Sequence, residues 1–298
     1  MDTISWWGRI GPIAFGCTDG FWMETDDIFS KNFHTGIGNC CCEQKIKSPL
    51  RYPGGKSRAV PFIVDEYLGG QKTLCSPFIG GGSIEIELAR RGTTVYAYDT
   101  FEPLVFFWQE LLRDPKNLAA RIGPYFPLEK SKFYELQQSI LEIEDKKEMA
   151  AVFFVLNRSS FSGTTLSGGM SPGHPRFTPT SIERVANFCI KNLKVERMDF
   201  RESIPLHGND FLYCDPPYLI KQRLYGNKGD MHANFNHAAL ADLLKSRDRW
   251  LLSYNDSYEA RKMYDGYPVV VPTWTYGMGK NKKSNEILIL SRDFRDWR

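Results

Sequence analysis

A chain of 298 residues that is 42% apolar and 24% charged can bury a sizeable core, which excludes wholesale disorder. A formal net charge of +3 permits a nucleic-acid partner without demanding one, because phosphate binding depends on where Lys and Arg cluster. Seven cysteines, with Cys75 and Cys214 inside apparent buried strands, fit a reduced, cytosol-like setting better than a disulfide framework.

Residues 1–46 mix glycine, tryptophan and acidic residues with no sustained period, and read as an extension that packs on the body. Its start, MDTISWWGRIG, lacks a basic n-region and an apolar h-region, and no stretch approaches the roughly 20 apolar residues of a membrane span. A soluble, intracellular protein is expected. Cys40, Cys41 and Cys42 are consecutive, without CxxC spacing or a nearby histidine pair, so they read as a thiol-rich linker and not as a zinc site.

From Lys56 a helical pattern runs to Leu68, followed by a strand at Thr73 to Ser76, a glycine turn, a helix from Ser83 to Arg91 and a strand from Thr94 ending at Asp99. This order is the first half of a doubly wound nucleotide-binding sheet. Residues 101–161 are mostly helical, with AAVFFVLN as a buried helix. Residues 157–180, NRSSFSGTTLSGGMSPGHPRFTPT, read as a long polar loop of the kind that carries function. Strand signals return at Leu193 to Arg197 and Phe211 to Cys214. A segment KQRLYGNKGDMHANF, a helix near His237 to Lys245, a strand at Trp250 to Tyr254, and closing strands near Val269 to Trp274 and Glu286 to Ser291 complete the chain.

Three segments carry chemistry. Ser76 to Ser83, SPFIGGGS, follows a strand and opens a helix, where glycines admit close backbone approach and helix N–H groups face a ligand; it is not the dinucleotide GxGxxG. Asp99 stands where such folds place an acid to accept ribose hydroxyls. Arg51 to Arg58, RYPGGKSR, lacks the spacing of a P-loop, but Lys56 and the turn amides suit a carboxylate or other anion. In FLYCDPPYLI, Pro216 and Pro217 end a buried strand. Neither has an N–H, and each fixes its own φ, so Asp215 to Tyr218 form a stiff turn at a sheet edge.

Taken together, RYPGGK, SPFIGGGS, Asp99, the NRSSFSG region and DPPY resemble, in this order, the Dam-like DNA adenine-N6 methyltransferases, over roughly residues 48–292. The resemblance implies a Rossmann-like α/β fold binding S-adenosylmethionine, with a mixed sheet closed by a reversed hairpin around YGMGKNKKSN. It divides the chain into the extension 1–46, a catalytic domain of 47–100 and 193–298, and an inserted, mostly helical target-recognition region, 101–192. It places Tyr52, Gly55 and Lys56 against the methionine end of the cofactor, Phe78, Gly80, Gly82 and Ser83 along the turn, Asp99 on the ribose, and Asp199 with Phe200 beside the cofactor adenine. Asp215, Pro216, Pro217 and Tyr218 form the catalytic tetrad, and no metal is implied.

For double-stranded DNA, the resemblance assigns Asn157, Arg158, Phe161, Ser162 and Gly163 to target contact, with Phe161 where Tyr is frequent and Ser162 where Asn is frequent. Lys221 to Lys228 are further candidates for phosphate contact. A cognate restriction endonuclease is left open as a partner. Rival readings are methyl transfer to cytosine N4, to RNA or to a protein amide, where other residues commonly replace the tetrad's acid, and a DNA-binding protein of the same fold without activity.

Overall fold

The computed structural model describes residues 46–171, 176–218, 235–272 and 285–297. A helical turn α1 (Val60–Ile63) continues as a π-helical turn (Val64–Leu68), and then come β1 (Thr73–Ser76), α2 (Ser83–Arg90) and β2 (Thr94–Asp99). Four helices follow: α3 (Glu102–Arg113), α4 (Pro115–Ile122), α5 (Lys130–Ser139) and α6 (Lys146–Ser159). The second half contains α7 (Pro179–Ala186), β3 (Leu193–Arg197), α8 (Phe200–Leu206), β4 (Phe211–Cys214), α9 (His237–Lys245), β5 (Trp250–Asn255), α10 (Tyr258–Met263), β6 (Val269–Val270) and β7 (Glu286–Leu290).

The strands form one sheet in the order β3-β2-β1-β4-β5-β7-β6. β1 to β5 are parallel, while β7 runs antiparallel to both β5 and β6. The winding reverses between β1 and β4, so the crevice at the carboxyl ends of these two strands is the topological switch point of the sheet. Both motif-bearing turns, the one after β1 and the one after β4, leave the sheet there.

The alternation of side chains splits the core between the two faces. Phe211 and Tyr213 of β4 join Leu74, Val95, Leu251 and Leu288 under α2, α3 and α6. Leu212 and Cys214 join Cys75, Leu252, Tyr254 and Ile289 under α8, α9 and α10. Burial on both faces explains why FLYC reads as an unbroken apolar run. The helices between β2 and β3 share the first of these cores with the sheet.

Several boundaries differ from the sequence reading. The helix expected from Lys56 starts at Val60, because Pro61 is tolerated only in a first turn and sets the start there. The expected loop 157–180 is shorter: α6 runs through Ser159, and α7 opens at Pro179 behind a Thr178–Ser181 capping box. Helices α7, α8 and α10 were absent from the reading, although each has an N-cap side chain, Thr178, Asp199 or Ser257, bonded to its first turn. Of the strand expected at 269–274, β6 covers Val269–Val270, the next two residues lie outside it, and 273–274 lie outside the described residues. The expectations for residues 1–45, for Lys221 to Lys228 and for the reversing segment 276–284 lie outside the described residues. Among the described residues, no helix is long and apolar enough to cross a membrane.

Candidate active site

A cavity of about 340 Å³ opens at the switch point. Its rim includes Tyr52, Gly55 and Lys56, the turn Phe78 to Ser83, Asp99, Asp199, Phe200 and the whole tetrad Asp215 to Tyr218. The structure therefore brings together, from five separate segments, every residue that the sequence reading assigned to cofactor and catalysis.

The glycine turn owes its shape to two aromatic rings. Gly82 caps α2 with φ 66°, and a Cβ there would stand 2.7 Å from the ring of Trp108. Trp108 is fully buried on α3 and donates its indole N–H to the Gly80 carbonyl at 3.1 Å. A Cβ on Gly80 would meet the Tyr52 ring at 2.9 Å. Close approach at this turn is thus first an approach of protein to protein, which leaves the cavity side of the backbone open. Across the cavity, Phe78, Phe200 and Phe235 pack with ring centroids 5.2–5.8 Å apart and form an aromatic wall. Asp199 caps α8 by accepting from the Arg201 N–H at 2.9 Å.

Asp99 ends β2 and accepts from the N–H groups of Phe101 at 3.0 Å and Gly80 at 3.3 Å. Burial nevertheless pushes its carboxyl up to about 6. Such an acid carries acceptor capacity into the cavity.

The tetrad is tied to the RYPGGK segment by a buried charge network. Lys56 Nζ donates to both carboxylate oxygens of Asp215 at 2.8 Å and to the Tyr218 hydroxyl at 2.7 Å, and lies 3.3 Å from Glu286 Oε1. The Tyr218 hydroxyl donates to Glu286 at 2.5 Å and lies 3.1 Å from Asp215 Oδ1. Burial pulls the Lys56 ammonium down, but two carboxylates around one cation outweigh it and hold Lys56 above its usual range. This placement differs from the expectation that Lys56 meets a ligand anion, since its ammonium is already occupied by Asp215 and Glu286. Glu286 escaped the sequence reading. Its signal was a lone acid opening the otherwise apolar strand EILIL.

The DNA candidates divide. Phe161 is 62% exposed in a short 3-10 turn (Phe161–Gly163) where Ser162 has φ 55°. Gly163 has φ 77°, lines the cavity, and could not carry a Cβ, which would lie 2.2 Å from the Arg51 carbonyl. Asn157 is fully buried: its side chain accepts from the Arg51 N–H at 2.9 Å and donates to the Arg51 carbonyl at 2.8 Å. That makes it a clamp between α6 and the RYPGGK segment, not a side chain presented to DNA. Arg158 donates to the carbonyls of Arg176 and Pro49. Burial and the neighbouring Arg51, Arg184 and Arg176 lower its guanidinium to about 10, and among the described residues none of these four arginines pairs with a carboxylate.

A doubly wound sheet whose switch-point cavity is bordered by a glycine turn, an acid on the next strand and a D-P-P-Y turn defines a Rossmann-like protein with a ligand crevice at the carboxyl ends of its strands. The chain matches the D12 class N6 adenine-specific DNA methyltransferases over residues 52–278, and it belongs to that family. The relatives similar to it include two that show the range of coverage. One is a DNA N-6-adenine-methyltransferase of Escherichia phage P1, 27% identical over 59% of this chain and 25% of its own length. The other is a type II methyltransferase of Lactococcus lactis subsp. cremoris, 24% identical over 76% of this chain and 88% of its own. The chain thus spans about a quarter of the phage relative.

Proposed function

We propose that this chain methylates the N6 amino group of adenine in double-stranded DNA, taking the methyl group from S-adenosylmethionine and admitting the adenine as a flipped base. The observation that carries the reading is the placement of Asp215 and the rigid proline pair at the mouth of the cavity that the glycine turn and Asp99 border.

The residues fit this donor. The aromatic wall of Phe78, Phe200 and Phe235 offers stacking faces to a purine, and Asp99 offers acceptors to a ribose. Among the described residues around the cavity, Lys56 stands against the acids Glu85, Asp99, Asp199 and Asp215, a balance that suits a cationic ligand. When bound, S-adenosylmethionine supplies a methyl group already activated on a sulfonium.

The chain's own residues then have the harder task, because the N6 lone pair is delocalised into the adenine ring. The Asp215 carboxylate and the Pro216 carbonyl are acceptors at a separation fixed by the prolines, and N6 hydrogens donated to both turn the lone pair towards the methyl group. Each Asp215 oxygen has a second lone pair, so Lys56 can stay in place while the amine arrives. Lys56 keeps Asp215 an acceptor, and Glu286 anchors the Tyr218 hydroxyl, which holds in place the ring that would stack on the base. Outside the cavity, the exposed Phe161 ring suits the gap that a flipped base leaves, and Arg51, Arg158, Arg176 and Arg184, which pair with no carboxylate among the described residues, suit phosphates.

The test is incubation with S-adenosylmethionine and unmethylated DNA, followed by nucleoside mass spectrometry, with Asp215→Ala alongside. N6-methyladenine formed only by the wild type is the expected result. Cofactor binding without DNA modification by either protein would overturn it in favour of an RNA, a protein amide or an inactive binder.

A further inference from the structure

Glu85 lies in none of the motif segments, yet it lines the cavity and is only 2% exposed. It is the third residue of α2, and its Oε1 accepts from the Ser76 hydroxyl at the end of β1, at 2.6 Å. Among the described residues no cation lies within ion-pair distance of it. Lys56, the cation whose charge reaches it, is bonded to Asp215 and Glu286 instead. Burial pushes the Glu85 carboxyl up to about 7, opposed by the Ser76 hydroxyl, by its own backbone N–H and by Lys56, with the Asp215 charge adding to the rise.

A buried carboxylate beside a cavity, with one oxygen on a hydroxyl and no cation of its own, is short of a positive hydrogen-bond donor. We infer that Glu85 receives the α-ammonium of the methionine moiety of S-adenosylmethionine, an assignment that rests on the proposed function. The ammonium is preferred to the sulfonium because a sulfonium carries three carbon substituents and has no N–H or O–H to donate, whereas the ammonium has three N–H groups. Among the described residues, Lys56, Asp99, Asp199 and Asp215 carry the other charges around the cavity, so proton release is compared between the wild type and the variant.

Calorimetry on the full chain with three probes tests this. S-adenosylmethionine has both cations, S-adenosylhomocysteine keeps the ammonium but has a neutral sulfur, and 5′-methylthioadenosine has neither. Glu85→Gln is expected to weaken the first two alike, by about 10- to 100-fold, the range of one charge-assisted hydrogen bond, and to leave the third unchanged. At pH 7, wild-type binding should release about half a proton more than the variant's, since a group poised near 7 becomes fully ionised beside a cation. Affinity should accordingly fall as pH drops below 7 in the wild type and less so in Glu85→Gln.

A loss confined to S-adenosylmethionine would move Glu85 to the sulfonium and overturn the assignment. Equal loss of all three probes would make it part of the cavity's architecture, and no loss at all would remove it from the site. Binding of none of the three by the wild type would instead overturn the proposed function itself, and this inference with it.

Discussion

Lys56 Nζ stands 2.8 Å from both carboxylate oxygens of Asp215, although 159 positions separate the two residues. The pair joins the turn before α1 to the tetrad after β4, and Glu286 closes it into a three-charge set. Lys56→Met removes the only cation from that set and leaves two buried carboxylates facing each other. One partner removed from a buried pair costs about 3–5 kcal/mol, so urea unfolding should show a loss of this size. Without the ammonium the ionised form of Asp215 is disfavoured, which moves the acid limb of the pH–rate profile to higher pH. A variant with wild-type stability and an unmoved profile would show that the network is incidental.

Asp99 predicts the opposite sign. Its pKa is raised to about 6, above the ordinary carboxylate value of 3.8, so its contribution to stability is present below pH 4 and is lost as pH rises through 6. The shift of about 2 units corresponds to about 3 kcal/mol at most. Asp99→Asn removes the burden of charge but gives up an acceptor for one of the two N–H groups, about 1 kcal/mol. The variant should therefore melt higher than wild type at pH 8 and lower at pH 4, while binding S-adenosylmethionine more weakly. Thermal scans at the two pH values check this, and a pH-independent difference would refute the assignment.

Gly82→Ala meets two obstacles at one atom: φ of 66° and the Trp108 ring at 2.7 Å. A left-handed non-glycine residue costs of order 1–3 kcal/mol, and overpacking adds about as much, so a loss of about 2–4 kcal/mol is expected. Trp108→Phe should relieve the clash but not the backbone strain. A double variant recovering only part of the lost stability would confirm the division.

The sheet and both motif turns were legible because each leaves a local mark. A glycine turn between strand and helix, or a proline pair after FLYC, needs no partner to be recognised. Glu85, Glu286 and Trp108 were not legible, since their roles exist only where α2 meets the end of β1, β7 meets the tetrad and α3 meets the glycine turn. Asn157 marks the boundary between the two cases. Its place in NRSSFSG was readable, but that it clamps the backbone of Arg51, 106 positions away, depends on tertiary packing.

Phe161 lets the proposed contact with DNA be tested apart from everything inside the cavity. Its backbone is fixed: its N–H donates to the Gly169 carbonyl at 2.9 Å, and the neighbouring Gly163 is locked against Arg51. Its ring remains 62% exposed, so Phe161→Ala should change stability by no more than about 0.5 kcal/mol. Cofactor affinity should not change either. What the ring can supply is a surface to fill the stack when a base leaves it, which offsets an unstacking cost of a few kcal/mol. The variant should therefore give a smaller fluorescence rise with 2-aminopurine at the target position and a lower kcat on duplex DNA. A mismatch at the target weakens the stack beforehand, so it should restore much of the lost rate. Equal loss on matched and mismatched DNA would place Phe161 in binding and not in base flipping.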